Sequence, residues 1–349
     1  MSRTWTASRV DRPAKAALLL VAIIVVLAVL PLFIPSFSLF LLTRILILGL
    51  FATAFNIVFG LGGMPSLGHA AFFGIGAYVA AIATTRTDLP FAAVLVLALA
   101  AGTVLGIVFG LFNLRARGIY LLLLTLALAQ AVYGLAFQQV ALTGGDNGIS
   151  DITRESLPVP DSLPSYYWFT MVVVGLSVAA MWTVLRSPVG MAIIGLRESE
   201  SRLAATGYRV GLYRVIAFAL SGAFSALAGL LDAFLLGSVS PSKLTFLLSA
   251  EVMVFAILGG AAYFLGPFLG AAVVLCLEFY VSTYTDRWTT VLGIVYVLTA
   301  LFMRDGLLGR LARLRRRRGR TGAAPPADSP ADEIDIPPLA AVAVQESQT

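Results

Sequence analysis

Two of the side chains that build most metal and nucleophilic sites are almost missing. Cys276 is the single cysteine and His69 the single histidine among 349 residues. One cysteine excludes a disulfide framework and a cysteine-rich metal site. One histidine leaves no histidine cluster to hold a metal. Charge is also scarce: Asp, Glu, Lys and Arg make up 12% of the chain, against roughly 25% in an ordinary soluble domain. No G-x-x-x-x-G-K-[ST] phosphate loop occurs. What fills the chain instead is apolar: 59% of residues, with a mean hydropathy of +0.93. A soluble globule, a coiled coil and a disordered chain are excluded together.

The apolar residues come in long runs. About 20 of them in helical form cross a hydrocarbon core of about 30 Å. Candidate spans are Ala17 to Pro35, Leu39 to Gly60, Ala70 to Thr85, Phe91 to Phe112 and Ile119 to Val140, followed by Tyr166 to Leu185, Tyr213 to Leu236, Leu247 to Leu265, Pro267 to Val281 and Trp288 to Met303. The third and ninth are short and bounded by glycine. The fold class is therefore an all-α integral membrane protein, a polytopic bundle of eight to ten transmembrane helices with glycine-broken segments. Because the first run is followed by many others, it reads as a span and not as a cleaved signal peptide.

The net charge of +6 sits in the termini and a few loops, so it calls for no nucleic-acid partner. With a cytoplasmic N-terminus, the inside segments hold Arg3, Arg9, Arg12 and Lys15, then Arg115 and Arg117, then five arginines from Arg186 to Arg214, then eight from Arg304 to Arg320. Only Arg44, Arg86, Arg154, Lys243 and Arg287 fall elsewhere. The positive-inside rule then places both termini in the cytoplasm. The organisation follows: a basic N-terminal segment over 1–16, a membrane domain over 17–308 and a basic, then disordered, cytoplasmic tail over 309–349. Within the membrane domain, 141–165 is external and 186–214 is a cytoplasmic loop. The arginine run after Arg310 acts as a positive-inside stop or lies against anionic lipid headgroups.

Glycine clusters break two apolar regions, Gly60 to Tyr78 and Ile257 to Ala271. Irregular backbone at membrane depth survives only inside protein or against a water-filled cavity. One reading makes Gly62, Gly63, Ser66, Gly68, His69, Gly259 and Gly260 part of a solute path, since broken helices expose groups that hold polar solutes. The other is close helix packing through small residues, as in Gly74-Ile-Gly76 and Gly266-x-x-x-Gly270. His69 is read as a hydrogen-bonded structural or gating residue in preference to a proton carrier. Asp232, Glu251 and Glu278 lie near span ends, where pairing or interfacial exposure accounts for them more simply than an ion relay.

The cytoplasmic segment after Ser187 is longer than a turn between helices. Ser187 can cap a helix and Pro188 suits its first turn. Residues 197 to 206 read as a short amphipathic helix, with Leu196, Leu203 and Ala204 on one face and Gly207 ending it. Glu198 and Glu200 oppose an anionic lipid surface, so the surface this helix covers is protein. Gly190, Ala192, Arg197, Glu198, Ala204, Ala205 and Gly207 resemble the cytoplasmic motif by which importer permeases dock an ATP-binding cassette subunit. Gly62-Gly63 with Ser66 to Tyr78, Arg115 to Tyr120, Thr125 to Ala129, Thr143 to Gly148, and Gly259-Gly260 with Gly266-Pro267 resemble the branched-chain amino-acid permease family, and within it the M-type permeases of leucine/isoleucine/valine importers. The resemblance runs from about Arg44 to Gly309. Asp146 and Asn147 stand where that family varies.

That resemblance implies a non-enzymatic transport subunit in the plasma membrane of a prokaryote. It implies partners: a homologous second permease, two cytoplasmic ATP-binding subunits and an extracytoplasmic solute-binding protein, with membrane lipid around them. It implies no cofactor on this chain, ATP and Mg belonging to the partner subunits. Uptake of urea or short amides, or ion-coupled secondary transport through Glu251, Glu278 or His69, are the alternative readings.

Overall fold

The computed structural model describes residues 31, 33–87, 89–154 and 157–285, then 287, 290, 291, 293, 294, 296–298 and 306–310. The span predicted over 17–35, the basic segment over 1–16 and the tail beyond Arg310 lie outside these residues, as does most of the span over 288–303.

Hydropathy and helix breakers decide the element order. α1 (Ser36–Asn56) is apolar all round and continues without interruption into a π-helical turn, Ile57–Leu61. α2 (His69–Arg86) follows the glycine break, and Pro90 starts α3 (Phe91–Phe112). α4 (Ile119–Gln138) leads into the single turn α5 (Val140–Thr143). α6 (Leu163–Arg186) opens at Ser162, whose hydroxyl accepts from the Ser165 N–H, an N-cap that satisfies one orphan donor. α7 (Pro188–Glu198) and α8 (Glu200–Ala205) form the loop segment. α9 (Val210–Leu236), α10 (Phe246–Gly259) and α11 (Gly266–Tyr284) complete the set. Eight of the spans read from sequence thus have a helix. The eighth ends earlier than its hydropathy implied: α10 stops at Gly259, and the chain turns through Gly260 to Leu265 before α11.

Among the described residues, six helices are long and apolar enough to cross a bilayer: α1 with its π turn, α3, α4, α6, α9 and α11. This is a polytopic all-α membrane protein. α9 packs on α3, α2 and α1, while α11 packs on α10 and α1. α1 and α9 are two-thirds buried over their most apolar stretch, whereas α3, α4, α6 and α11 bury a third or less. The first pair is the core, and the others turn large apolar faces outward, with Leu123, Val104, Leu176 and Val172 more than half exposed.

Lipid tails are as apolar as leucine, so close backbone approach and internal polar bonds hold such a bundle together. Gly102, Gly106 and Gly110 form a ladder at four-residue spacing on α3. A Cβ on any of them would strike α9 at Gly222, Phe218 and Val215 respectively. The sequence reading passed over this ladder because α3 shows no break. At the end where α9 stops, Ile149 and Val239 exchange both backbone hydrogen bonds. The Arg154 guanidinium donates to the carbonyls of Phe234 (2.9 Å) and Leu235 (3.1 Å) and stacks over Tyr166. A cation there satisfies the last carbonyls of the helix.

Filling the ladder tests this packing. Gly106→Ile should lower stability by about 1–3 kcal/mol or more through overpacking. Gly175→Ala on α6, where an added Cβ meets nothing within 4 Å, should be neutral or stabilising by up to about 1 kcal/mol. Thermal unfolding of the detergent-solubilised protein separates the two.

Candidate functional site

The first break is rich in glycine, with Gly60, Gly62, Gly63 and Gly68 around Pro65. The π turn widens the end of α1, with Gly62 N–H donating to Ile57 (3.0 Å) and Met64 N–H to Val58 (2.9 Å). The chain then runs irregularly to Gly68. Hydrocarbon leaves no backbone group unpaired cheaply, and side chains close the account here. Leu67 N–H donates to Thr125 Oγ1 (3.1 Å), Gly68 N–H to Ser66 Oγ (3.2 Å) and Ala70 N–H to Ser249 Oγ (2.9 Å).

His69 opens α2, fully buried, with its ring edge-on to Phe55 and Phe72. Its Nδ1 lies 3.0 Å from Ser66 Oγ and its Nε2 3.0 Å from Ser221 Oγ. Ser221 donates its own proton to the Ala54 carbonyl at 2.7 Å, so it must accept from His69. Nε2 therefore carries the hydrogen, and Nδ1 accepts from Ser66, as the network requires. The chain of donors runs Gly68, Ser66, His69, Ser221, Ala54 and joins α1, α2 and α9. This is the structural role read for His69 from sequence. A second ring proton would leave two donors facing Ser66 Oγ.

The second break meets the first. Asn56 Nδ2 donates to the Tyr263 carbonyl at 3.2 Å, and a Cβ on Gly60 would strike the Ala261 carbonyl. Gly259 faces the backbone of Gly266 and Gly270, where a Cβ has no room. Gly62, Ser66, Gly68, His69, Gly259 and Gly260 are all buried, and Gly63 is exposed. In this conformation most glycines of the two breaks are packed inside protein, while Gly63, Ala262, Tyr263 and Leu265 reach the surface. Asn56 was not singled out from sequence, although an amide inside an apolar run was the available signal.

The loop segment differs from the single helix read over 197–206. The helix begins at Pro188, and Ser199 interrupts it in extended conformation. Ser199 caps α8, accepting from the Arg202 N–H at 3.4 Å, so two short helices replace one. Leu196 is buried as expected and Leu203 is half-buried, but Ala204 and Ala205 face outward. Gly190 and Ala192 are buried too, with no room for a Cβ on Gly190 against the Leu185 backbone. Gly207 ends the segment at φ +87°, a conformation that favours glycine. Arg197 and Glu198 are both exposed, and the Arg197 guanidinium reaches back to donate to the Gly60 carbonyl at 2.7 Å.

A second tie holds α8. Glu200 pairs with the buried Arg214 at the start of α9 and with Arg117 (3.0 Å) in the α3–α4 turn. Arg214 also donates to the carbonyls of Asn113 (3.3 Å), Leu114 (3.1 Å) and Ala116 (3.1 Å). Of the acids noted in the sequence, Asp232 is buried and paired with Lys243 at 2.6 Å, and Glu278 lies 3.8 Å from Arg44.

Broken helices that meet at one point, beneath a short-helix segment with an exposed outer face, leave the identity of the protein to comparison with known sequences. The family described as branched-chain amino acid transport system / permease component matches residues 37–302. The chain belongs to this family. The high-affinity branched-chain amino acid transport system permease protein LivM of Salmonella typhimurium is 29% identical over 319 residues, spanning 84% of this permease and 75% of that protein. LivM of Escherichia coli is similar to the same extent. The galactose/methyl galactoside import permease protein MglC of Escherichia coli is 25% identical over 180 residues, 50% of this permease and 53% of that protein. No solved structure matches.

The histidine clamp makes a sharp expectation for this permease. Ser221→Ala leaves the His69 Nε2–H without an acceptor, a loss of about 1–3 kcal/mol for a buried group. Ser242→Ala, in the exposed turn before α10, should change nothing. The measurement is thermal unfolding of both variants in detergent.

Proposed function

We propose that this permease is one membrane subunit of an ATP-driven importer for branched-chain amino acids. The observation that carries the reading is the α7–α8 segment: tied inward to the first helix break and to α9, open outward at Glu198, Ala204, Ala205, Gly207 and Tyr208. A segment anchored in this way is built to be pushed by a protein outside the membrane. The chain carries no phosphate loop of its own. ATP hydrolysis therefore belongs to two cytoplasmic cassette subunits docking on residues 186–214, with a homologous second permease beside this one. An extracytoplasmic binding protein delivers the solute.

In this reading the arginine-rich end faces the cytoplasm, as do both termini, and the Arg154 end faces outward. Gly62, Gly63, Ser66, Gly68, His69, Gly259 and Gly260 line the path once the two breaks part. ATP shifts the population between the states by its differential affinity for them. Branched-chain amino acids are preferred to galactosides because LivM aligns over most of the chain and MglC over half. An ion-coupled carrier through Glu278 or His69 is disfavoured, because Glu278 lies 3.8 Å from Arg44 and both ring nitrogens of His69 are engaged; for half-buried Glu251 the uptake measurement decides.

Reconstitution into liposomes with the second permease, the ATPases and the binding protein tests this. Leucine uptake is expected to require ATP on the face bearing residues 186–214, to survive a protonophore, and to resist competition by galactose and urea. Uptake without ATP that collapses with the proton gradient would make the protein a secondary transporter.

A further inference from the structure

The breaks at Gly60 and at Gly260 and the end of α7 meet at Gly60, whose carbonyl is held by Arg197 from the loop segment. Resting on the function proposed above, we propose that Arg197 is a positioning residue inside the permease: it carries displacement of the docking segment into the two helix breaks and makes no contact with the ATPase.

The geometry supports this in three ways. The Gly60 carbonyl lies in the last turn of the long α1 element, where helical carbonyls run out of partners. Arg197 Nη1 supplies a donor at 2.7 Å, and a cation suits that end of a helix. Next, Gly63 stands at φ +69°, and a Cβ built on it lies 3.0 Å from Arg197 Cα, Cβ and Cγ. The stem and the guanidinium of one side chain therefore hold the start of the break at two points, Gly63 and Gly60. Finally, the grip is continuous with the second break, through the Asn56 amide on the Tyr263 carbonyl and the close approach of Gly60 to Ala261.

α7 has little slack at its other end. Gly190 packs on the Leu185 backbone without room for a Cβ, fixing the corner with α6. A push on the exposed face of α8 turns α7 about that corner. The end of α7 that bears Arg197 then moves furthest, and the Gly60 carbonyl moves with it. Arginine suits this task better than lysine, since its planar fork keeps its direction under load. Arg197 and Glu198 are both exposed, but of the two only Arg197 bonds into the break, through the Gly60 carbonyl.

The test uses the full complex in liposomes and reads leucine accumulated per ATP hydrolysed. Arg197→Ala is expected to lower that ratio about ten-fold while the ATPase still co-purifies in wild-type amount. Arg197→Lys, which restores a donor without the fork, should recover part of the loss. Gly63→Ala leaves the guanidinium intact but crowds its stem, and should lower the ratio as well. It serves as the reading should Arg197→Ala fail to accumulate in the membrane. Ala205→Trp on the outer face is expected to release the ATPase instead. The inference is overturned if Arg197→Ala loses the ATPase in step with uptake, which would make Arg197 a docking contact. It is equally overturned if the ratio stays at the wild-type value in both Arg197→Ala and Gly63→Ala. Failure of the wild-type complex to bind any ATPase would instead remove the functional reading itself.

Discussion

A backbone group in hydrocarbon has no water to bond, and every interruption of a helix there must be closed from within the protein. Among the described residues this permease breaks its apolar helices at two glycine clusters, and several of its buried polar side chains serve those breaks. Thr125, Ser66 and Ser249 take the N–H groups of Leu67, Gly68 and Ala70. Asn56 and Arg197 take the carbonyls of Tyr263 and Gly60. The breaks are thus places where a few hydrogen bonds hold what a regular helix would hold by itself. Such places are where a membrane bundle can change conformation at the least cost.

Much of this was legible in the sequence. Hydropathy placed eight of the helices, because the length of an apolar run and the bilayer thickness leave little choice. The glycine clusters marked both breaks, Ser187-Pro188 marked the start of α7, and Gly207 marked the end of the loop segment. Pairing was the simpler account of Asp232 because an unpaired carboxylate there is costly, and Lys243 supplies the partner. The split at Ser199 was missed because a short amphipathic pattern runs through it; only the capping of α8 by the serine hydroxyl ends the first helix. Asn56 and the ladder of Gly102, Gly106 and Gly110 went unread because each sits in a run whose hydropathy says only that it is buried.

The meeting of Arg197 with Gly60 could not be read at all, since 137 residues separate them and nothing local signals the contact. Position in the chain made Arg197 and Glu198 look like one docking pair. Both are exposed, but the Arg197 guanidinium reaches back to the Gly60 carbonyl. Glu200, which reads as an ordinary surface acid, instead ties α8 to the buried Arg214 and to Arg117. The α7–α8 segment is therefore attached twice, to the first break by Arg197 and to the central helix by Glu200, with the extended residue Ser199 between the two attachments.

The central claim is that the docking segment and the helix breaks move as one body. Spin labels in a Cys276→Ser background, on Ala205 in α8, Leu61 at the first break and Ser150 at the opposite end, measure this directly by pulsed distance spectroscopy in the assembled complex. The account predicts that ATP changes the distances from Ser150 to Ala205 and from Ser150 to Leu61 together, while the distance between Ala205 and Leu61 holds. A shift of Ala205 with Leu61 fixed relative to Ser150 would contradict it.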